Sequence, residues 1–175
     1  MAVTRSFGRP VTEIDILMGA IAQYAIRAGE KLRQHDLVAG RLTVFFHTNP
    51  HKPERAQYSV SRGCSMQPMT NDGLELLFYA RRGVERAWRN GYGITKAGIM
   101  LDDLVAAERR PLTLFEGDRE KRTRLMSAMD EVNDRFGKFT AVPATQGSKR
   151  SWSARSDSRS PDYTTRLADV PTVRA

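Results

Sequence analysis

Two amphipathic helical stripes are set among four strand-like segments, and that ratio constrains the fold more than anything else in the sequence. The first stripe is Ile14, Leu17, Ile21, Tyr24, Ala28 and Leu32, recurring at three- and four-residue spacing. It predicts a helix from an N-cap at Thr12 to about Gln34, with Asp15 placed for the first turn. The second stripe is Leu74, Leu77, Ala80, Val84 and Trp88, on a helix from Thr70 to about Asn90, with Gly91 suited to the left-handed turn after it. Apolar–polar alternation predicts strands at Val3–Arg9, stopped by Pro10, and at Arg41–Thr48, Gln57–Arg62 and Ile94–Leu101. The proline-bearing Asn49–Pro53 stretch and the Gly/Pro-punctuated stretch after Arg62 read as loops. The order is β-α-β-β-α-β, an α+β fold whose two helices can cover only one face of a four-stranded sheet.

The other face must meet water or a ligand. By strand parity it carries Thr4, Ser6, Gly8, Arg41, Thr43, His47, Ser59, Ser61, Lys96 and Gly98, with Phe45 breaking the polar pattern. Hydroxyls, glycines and cations suit a phosphate backbone, because main-chain N–H groups can approach while side chains supply charge. The formal net charge of +8 favours a polyanionic partner, either nucleic acid or an anionic membrane surface. Residues 1–105 hold 14 basic and 10 acidic side chains and residues 146–175 hold six against three, while the middle is nearly neutral.

Beyond Leu104 the pattern changes. Residues 106–117 read as an extended linker holding Pro111-Leu112-Thr113-Leu114-Phe115. A third helix is predicted from about Asp118 to Phe136, with Leu125, Met129, Val132 and Phe136 in its stripe and Gly137 after it, then a brief strand at Phe139–Val142. From about residue 146 the Ser/Arg-rich tail, with Lys149, Arg150, Arg155 and Arg159, is expected to be poorly ordered alone. These cations suit DNA, a protein partner or simple solubility.

Several residues have plainer readings than a site. Asp102 and Asp103 are neighbours on a strand and point to opposite faces, so solvated carboxylates are expected rather than a shared metal. His47 and His51 are four apart, but Pro50 forbids the helix that would align them as ligands; no metal or cofactor is expected. Cys64 has no base nearby in sequence and reads as a structural or exposed thiol. As the only cysteine it excludes an internal disulfide and suits a reducing, cytoplasmic location. The opening residues lack an apolar leader and no stretch is long enough to span a bilayer. Arg81, Arg82, Arg86 and Arg89 could track phosphates, but a charged outer face is what any surface helix shows.

Ser6-Phe7-Gly8-Arg9, Lys31-Leu32-Arg33, Thr48-Asn49-Pro50, Lys96-Ala97-Gly98-Ile99-Met100-Leu101 within Tyr92–Leu101, Ser160-Pro161 and Tyr163-Thr164-Thr165-Arg166 occur together in this order. In that order they resemble the C-terminal half of the UmuC family of Y-family translesion DNA polymerases, with its relatives MucB, ImpB and SamB. The resemblance implies a little-finger DNA-binding domain at residues 1–105 and a small C-terminal module at 118–175. It implies primer–template DNA as the ligand, held through the backbone by Ser6, Gly8, Arg9, Lys96 and Gly98 of the family's motifs; parity adds Arg41, Thr43 and Ser59. It further implies a sliding-clamp motif of pattern Gln-Leu-x-Leu-Phe, matched by Leu112, Leu114 and Phe115, with Pro111 in place of the glutamine. An ordinary hydrophobic linker is the plainer reading of that segment. Polymerase chemistry needs two metal ions held by palm carboxylates, and those motifs belong to the family's N-terminal half. A non-catalytic DNA-gripping fragment of an SOS-response translesion polymerase is therefore expected. The alternative is a protein-interaction module for the sliding clamp, a processed UmuD-type protein or RecA.

Overall fold

A computed structural model describes residues 1–111 and 118–146. The expected order is found: β1 (Ala2–Val11), α1 (Ile14–Gln34), β2 (Leu37–His47), β3 (Ser59–Thr70), α2 (Gly73–Ala87), β4 (Ile94–Ala106) and α3 (Arg119–Phe136). The four strands form one antiparallel sheet in the order β1-β4-β2-β3, so β2 and β4 are central and β1 and β3 are edges. The fold is α+β, with α1 and α2 packed on one sheet face.

The core lies between that face and the helices. Leu42, Val44 and Phe46 of β2 and Ala97, Ile99 and Leu101 of β4 are essentially inaccessible, as are Leu17, Ile21, Tyr24 and Leu32 of α1 and Leu76, Ala80 and Val84 of α2. At about 25 cal/mol per Å² of apolar surface buried, each such leucine or isoleucine contributes about 1.5–3 kcal/mol toward holding helices and sheet together.

Several boundaries differ from expectation, each for a local reason. Pro10 does not stop β1, because the strand is an edge and tolerates a missing N–H; the chain runs on to bury Val11. That extension moves the start of α1 to Ile14. Glu13, not Thr12, occupies the cap, and its carbonyl accepts from Leu17 N at 3.3 Å while no side chain caps the helix. β3 continues through Gly63 and Pro68 to Thr70, with a bulge between its pairings to Arg41 and Ala39 that accommodates Met66 in the core. Asp72 rather than Thr70 caps α2, accepting from Leu74 N at 2.7 Å and Glu75 N at 3.3 Å, while the Thr70 hydroxyl accepts from Asp72 N. α2 ends at Ala87 because Trp88 turns extended, bringing its ring 6.3 Å from Phe46. The buried line of α2 is Gly73, Leu76, Ala80, Val84 and Ala87; Ala80 and Val84 are in it as expected, while Leu74, Leu77 and Trp88 give way to the residue before each.

α3 departs furthest. It starts close to where expected, with Asp118 as its cap, but Leu125 and Phe136 are exposed and only Met126 is buried. Its docking line is Arg122, Met126 and Asp130, at four-residue spacing, and it is mainly ionic. Asp130 takes a two-pronged bond from Arg33 of α1 at 2.6 and 2.7 Å, and Arg122 bridges Asp72 and Glu75 of α2 at 2.8 and 2.9 Å. The strand expected at Phe139–Val142 is instead a turn. Asn133 holds it, accepting from Ala141 N and donating to Ala141 O. The tail from residue 147 lies outside the described residues, as does the segment 112–117.

Candidate nucleic-acid interface

Register places the uncovered face residue by residue. Ser6 pairs with Lys96, Lys96 with His47 and His47 with Ser59, giving one row across all four strands. At about 4.8 Å between strands, the row is about 14 Å long. The next rows are Thr4–Gly98–Phe45–Ser61 and Ala2–Met100–Thr43–Gly63, and then Asp102–Arg41–Ser65 without β1. Thr4, Ser6, Arg41, Thr43, His47, Ser59, Ser61, Lys96 and Gly98 thus share one face.

The Lys96 row borders an open groove of about 740 Å³ at one end of the sheet. Ser6, Gly8, His47 and Lys96 form its floor side. The β2–β3 loop contributes His51, Lys52 and Arg55, and among the described residues no carboxylate lines it. Held dipoles and three cations with no carboxylate beside them among the described residues make this end of the face attractive to anions. The loop is tied from within. Gln57 Nε2 donates to the carbonyls of Lys52, Arg55 and Asn49 at 2.8–3.2 Å, and the Thr48 hydroxyl donates to Gln57 Oε1. His47 Nδ1 donates to Thr48 O at 2.7 Å, which fixes its tautomer. Strand parity put Gln57 at the start of the third strand, but that strand begins at Ser59, because the Gln57 side chain turns back to tie the two-proline loop.

Two proposed contact residues have different surroundings from those expected. A Cβ on Gly98 would lie 2.7 Å from Thr4 Cγ2 and 2.8 Å from Phe45 Cζ. Gly98 therefore gives a seat to the Phe45 ring, and its position on a central strand leaves no unladdered N–H to offer a phosphate. Phe45 belongs to the face that it seemed to interrupt. Arg9 is exposed but stands apart from the groove lining, within the break in the β1–β4 ladder between Ser6 and Val11. Arg41 lies across from Asp102 yet reaches toward β3, where a Cβ on Gly63 would meet its Nε at 3.5 Å.

The remaining candidates sit elsewhere. Asp102 is on the open face and Asp103 has a left-handed backbone at φ 54° beside Gly40. Cys64, on the helix side of β3, donates weakly to Leu42 O at 3.6 Å, and burial pushes its thiol pKa up against the field of Arg86, Arg82 and Arg41. Among the described residues no group of three His, Cys, Asp or Glu is placed to hold a metal, and no helix is long and apolar enough to cross a membrane. Leu112, Leu114 and Phe115 lie outside the described residues.

Comparison with known proteins agrees with this architecture. Residues 1–114 match the impB/mucB/samB family C-terminal domain, and residues 123–173 match a domain of unknown function, DUF4113. The chain is 32% identical over 173 residues to Protein UmuC and to Protein ImpB of Salmonella typhimurium, covering 98% of this chain and 41% of each relative. Protein MucB of Escherichia coli is also 32% identical, with 40% of its length covered. The chain thus spans about two-fifths of the length of these relatives. With its four-stranded sheet and uncovered face matched from end to end by that model, the chain belongs to the impB/mucB/samB family, whose C-terminal domain it carries.

Proposed function

We propose that this chain is the non-catalytic, DNA-gripping part of a translesion polymerase, holding primer–template duplex along the open face of its sheet. The observation that carries the reading is the groove beside the Ser6–Lys96–His47–Ser59 row: three cations, two histidines and hydroxyls, with no carboxylate in its lining among the described residues. Kinship with UmuC and MucB supports a role in translesion DNA synthesis. Contacts of this kind are directed at phosphates, so sequence preference is slight and affinity falls steeply with salt through counterion release. The residues assigned to the grip are Ser6, Gly8, Arg41, Thr43, Ser59 and Lys96, with Arg9 contributing charge from the β1 rim. Gly98 acts indirectly, by seating Phe45. The test is fluorescence anisotropy of a labelled primer–template across a salt series. Lys96→Ala should lower the slope of log K against log salt by about one. Binding indifferent to salt would rule the reading out.

A separate proposal concerns the linker. Leu112, Leu114 and Phe115 act as apolar anchors for a sliding clamp, and processed UmuD-type proteins or RecA are further candidate partners for the C-terminal module. Those assignments rest on the sequence pattern alone.

A further inference from the structure

The uncovered face is not the only place where cations gather without counter-charge. β3 is a sheet edge, paired on one side to β2. Arg41 lies on the open face and leans over Gly63, whose missing side chain leaves room for the guanidinium to cross β3 toward that edge. Arg62, one residue along, points to the opposite face of the same strand, since it pairs with the core-facing Val44. Arg82 and Arg86 follow on the outer surface of α2, and both are near enough to Cys64 of β3 for their charge to reach its thiol. All four arginines are exposed, and among the described residues none is in an ion pair. Their neighbour Arg81 shows the contrast, held by Glu85 at 2.9 Å. Beside Arg82, the Phe78 ring is 55% exposed with the guanidinium 5.5 Å from its centre.

These cations form a belt that turns around the sheet edge, from the open face to the helix side. A duplex, stiff over about 150 base pairs, cannot follow such a turn, whereas a single strand can. Exposed guanidinium planes and a bare aromatic ring are what a single strand uses, phosphates on the cations and bases against the π-faces. We infer that the β3 edge and the outer face of α2 form a second binding surface, which takes the single-stranded nucleic acid that continues from a duplex held on the open sheet face. This rests on the grip reading, and the belt is separate from it: no belt arginine besides Arg41 is in the grip.

The test uses the full chain and two labelled probes, a blunt duplex and the same duplex with a single-stranded extension. Three proteins are compared: the parent, a belt variant (Arg62→Ala, Arg82→Ala, Arg86→Ala), and an α3 variant of equal charge change (Lys121→Ala, Arg124→Ala, Arg135→Ala). The parent should bind the extended probe more tightly and with a steeper salt slope. The belt variant should lose roughly tenfold on the extended probe and about two to three from its slope, while blunt-duplex binding stays within about twofold. The α3 variant should match the parent. An equal loss on both probes would reduce the belt to a long-range field, and no loss on either would remove it. If the parent binds neither probe at low salt, the grip reading itself fails. Displacement of the extended probe by a polyglutamate peptide as readily as by an unlabelled single strand would reassign the belt to an acidic protein segment.

Discussion

Gly98→Ala should destabilise the sheet, because its missing side chain is a packing requirement at the centre of the open face. The new methyl would come within 2.7 Å of Thr4 Cγ2 and 2.8 Å of Phe45 Cζ, well inside van der Waals contact, so one neighbour has to move. Thr4 sits on an edge strand registered directly opposite Gly98, and Phe45 on the central strand at its other side, so the clash comes from both directions at once. Overpacking of this kind costs about 1–3 kcal/mol. Replacing glycine also stiffens the unfolded chain, which returns about 0.4–1 kcal/mol. The net expectation is a loss of about 1–2 kcal/mol, or a drop of about 4–16 °C in melting temperature for a domain of this size. Urea denaturation of the parent, Gly98→Ala, Phe45→Ala and the double variant checks both the size and the cause. Truncating the ring makes room for the methyl, so the double variant should be about 1 kcal/mol more stable than the two losses added together. A Gly98→Ala protein as stable as the parent, or a strictly additive cycle, would refute the seating of Phe45 on Gly98.

The Tyr24 hydroxyl is buried without a hydrogen-bond partner among the described residues; burial, opposed by Arg5, raises its pKa to about 12 from 10.0. Because the folded pKa lies above the unfolded one, the stability tied to neutral Tyr24 is complete below pH 10 and is lost as pH rises toward 12, about 2–3 kcal/mol in all. Tyr24→Phe should lack that component of the alkaline loss in denaturation midpoints, and a parallel decline in both proteins would contradict it. Arg33→Ala removes the two-pronged bond to Asp130 and a 2.6 Å bond to Asn71 O in a site where both charged side chains are mostly buried. A loss of about 2 kcal/mol there should speed amide exchange in α3 roughly thirtyfold while the sheet keeps its protection. Changing Leu114 and Phe115 together to alanine should abolish sliding-clamp pull-down and leave DNA affinity unchanged, and surviving capture would remove the linker motif.

The parity of the two central strands was legible in the sequence because their core-facing positions recur at every second residue, even though Phe45 interrupts the polar side of β2. Leu42, Val44 and Phe46, then Ala97, Ile99 and Leu101, face the core and push Arg41, Thr43, His47, Lys96 and Gly98 to the open side. Once two helices were counted against four strands, the uncovered face followed from area alone. The edges were harder to read. Pro10 and Pro68 are turn signals in a central strand but are tolerated at an edge, where a lost N–H faces away from the ladder, and Gly63 on the same edge leaves room for the Arg41 side chain. The face of α3 was misread because its packing is ionic. A hydrophobic period selects Leu125 and Phe136, whereas the docked line of Arg122, Met126 and Asp130 is defined by partners on α1 and α2. The cation-rich groove depends on a loop folded around Gln57, and hydrogen bonds from one amide to successive carbonyls leave no periodic trace. Phe45 could have been placed by pairing it with Gly98, since a glycine inside a central strand signals a close approach.

Amide chemical-shift mapping can locate duplex DNA on the open sheet face residue by residue. A short primer–template duplex titrated into isotopically labelled protein should move the amides of Ser6, Gly8, Thr43, His47, Ser59 and Lys96, together with the loop residues Lys52 and Arg55. Amides on the buried helices, such as those of Leu17, Ile21 and Val84, should stay in place. Shifts confined to the helix side or to α3, with the Lys96 row unmoved, would mean that the duplex does not lie on the sheet face.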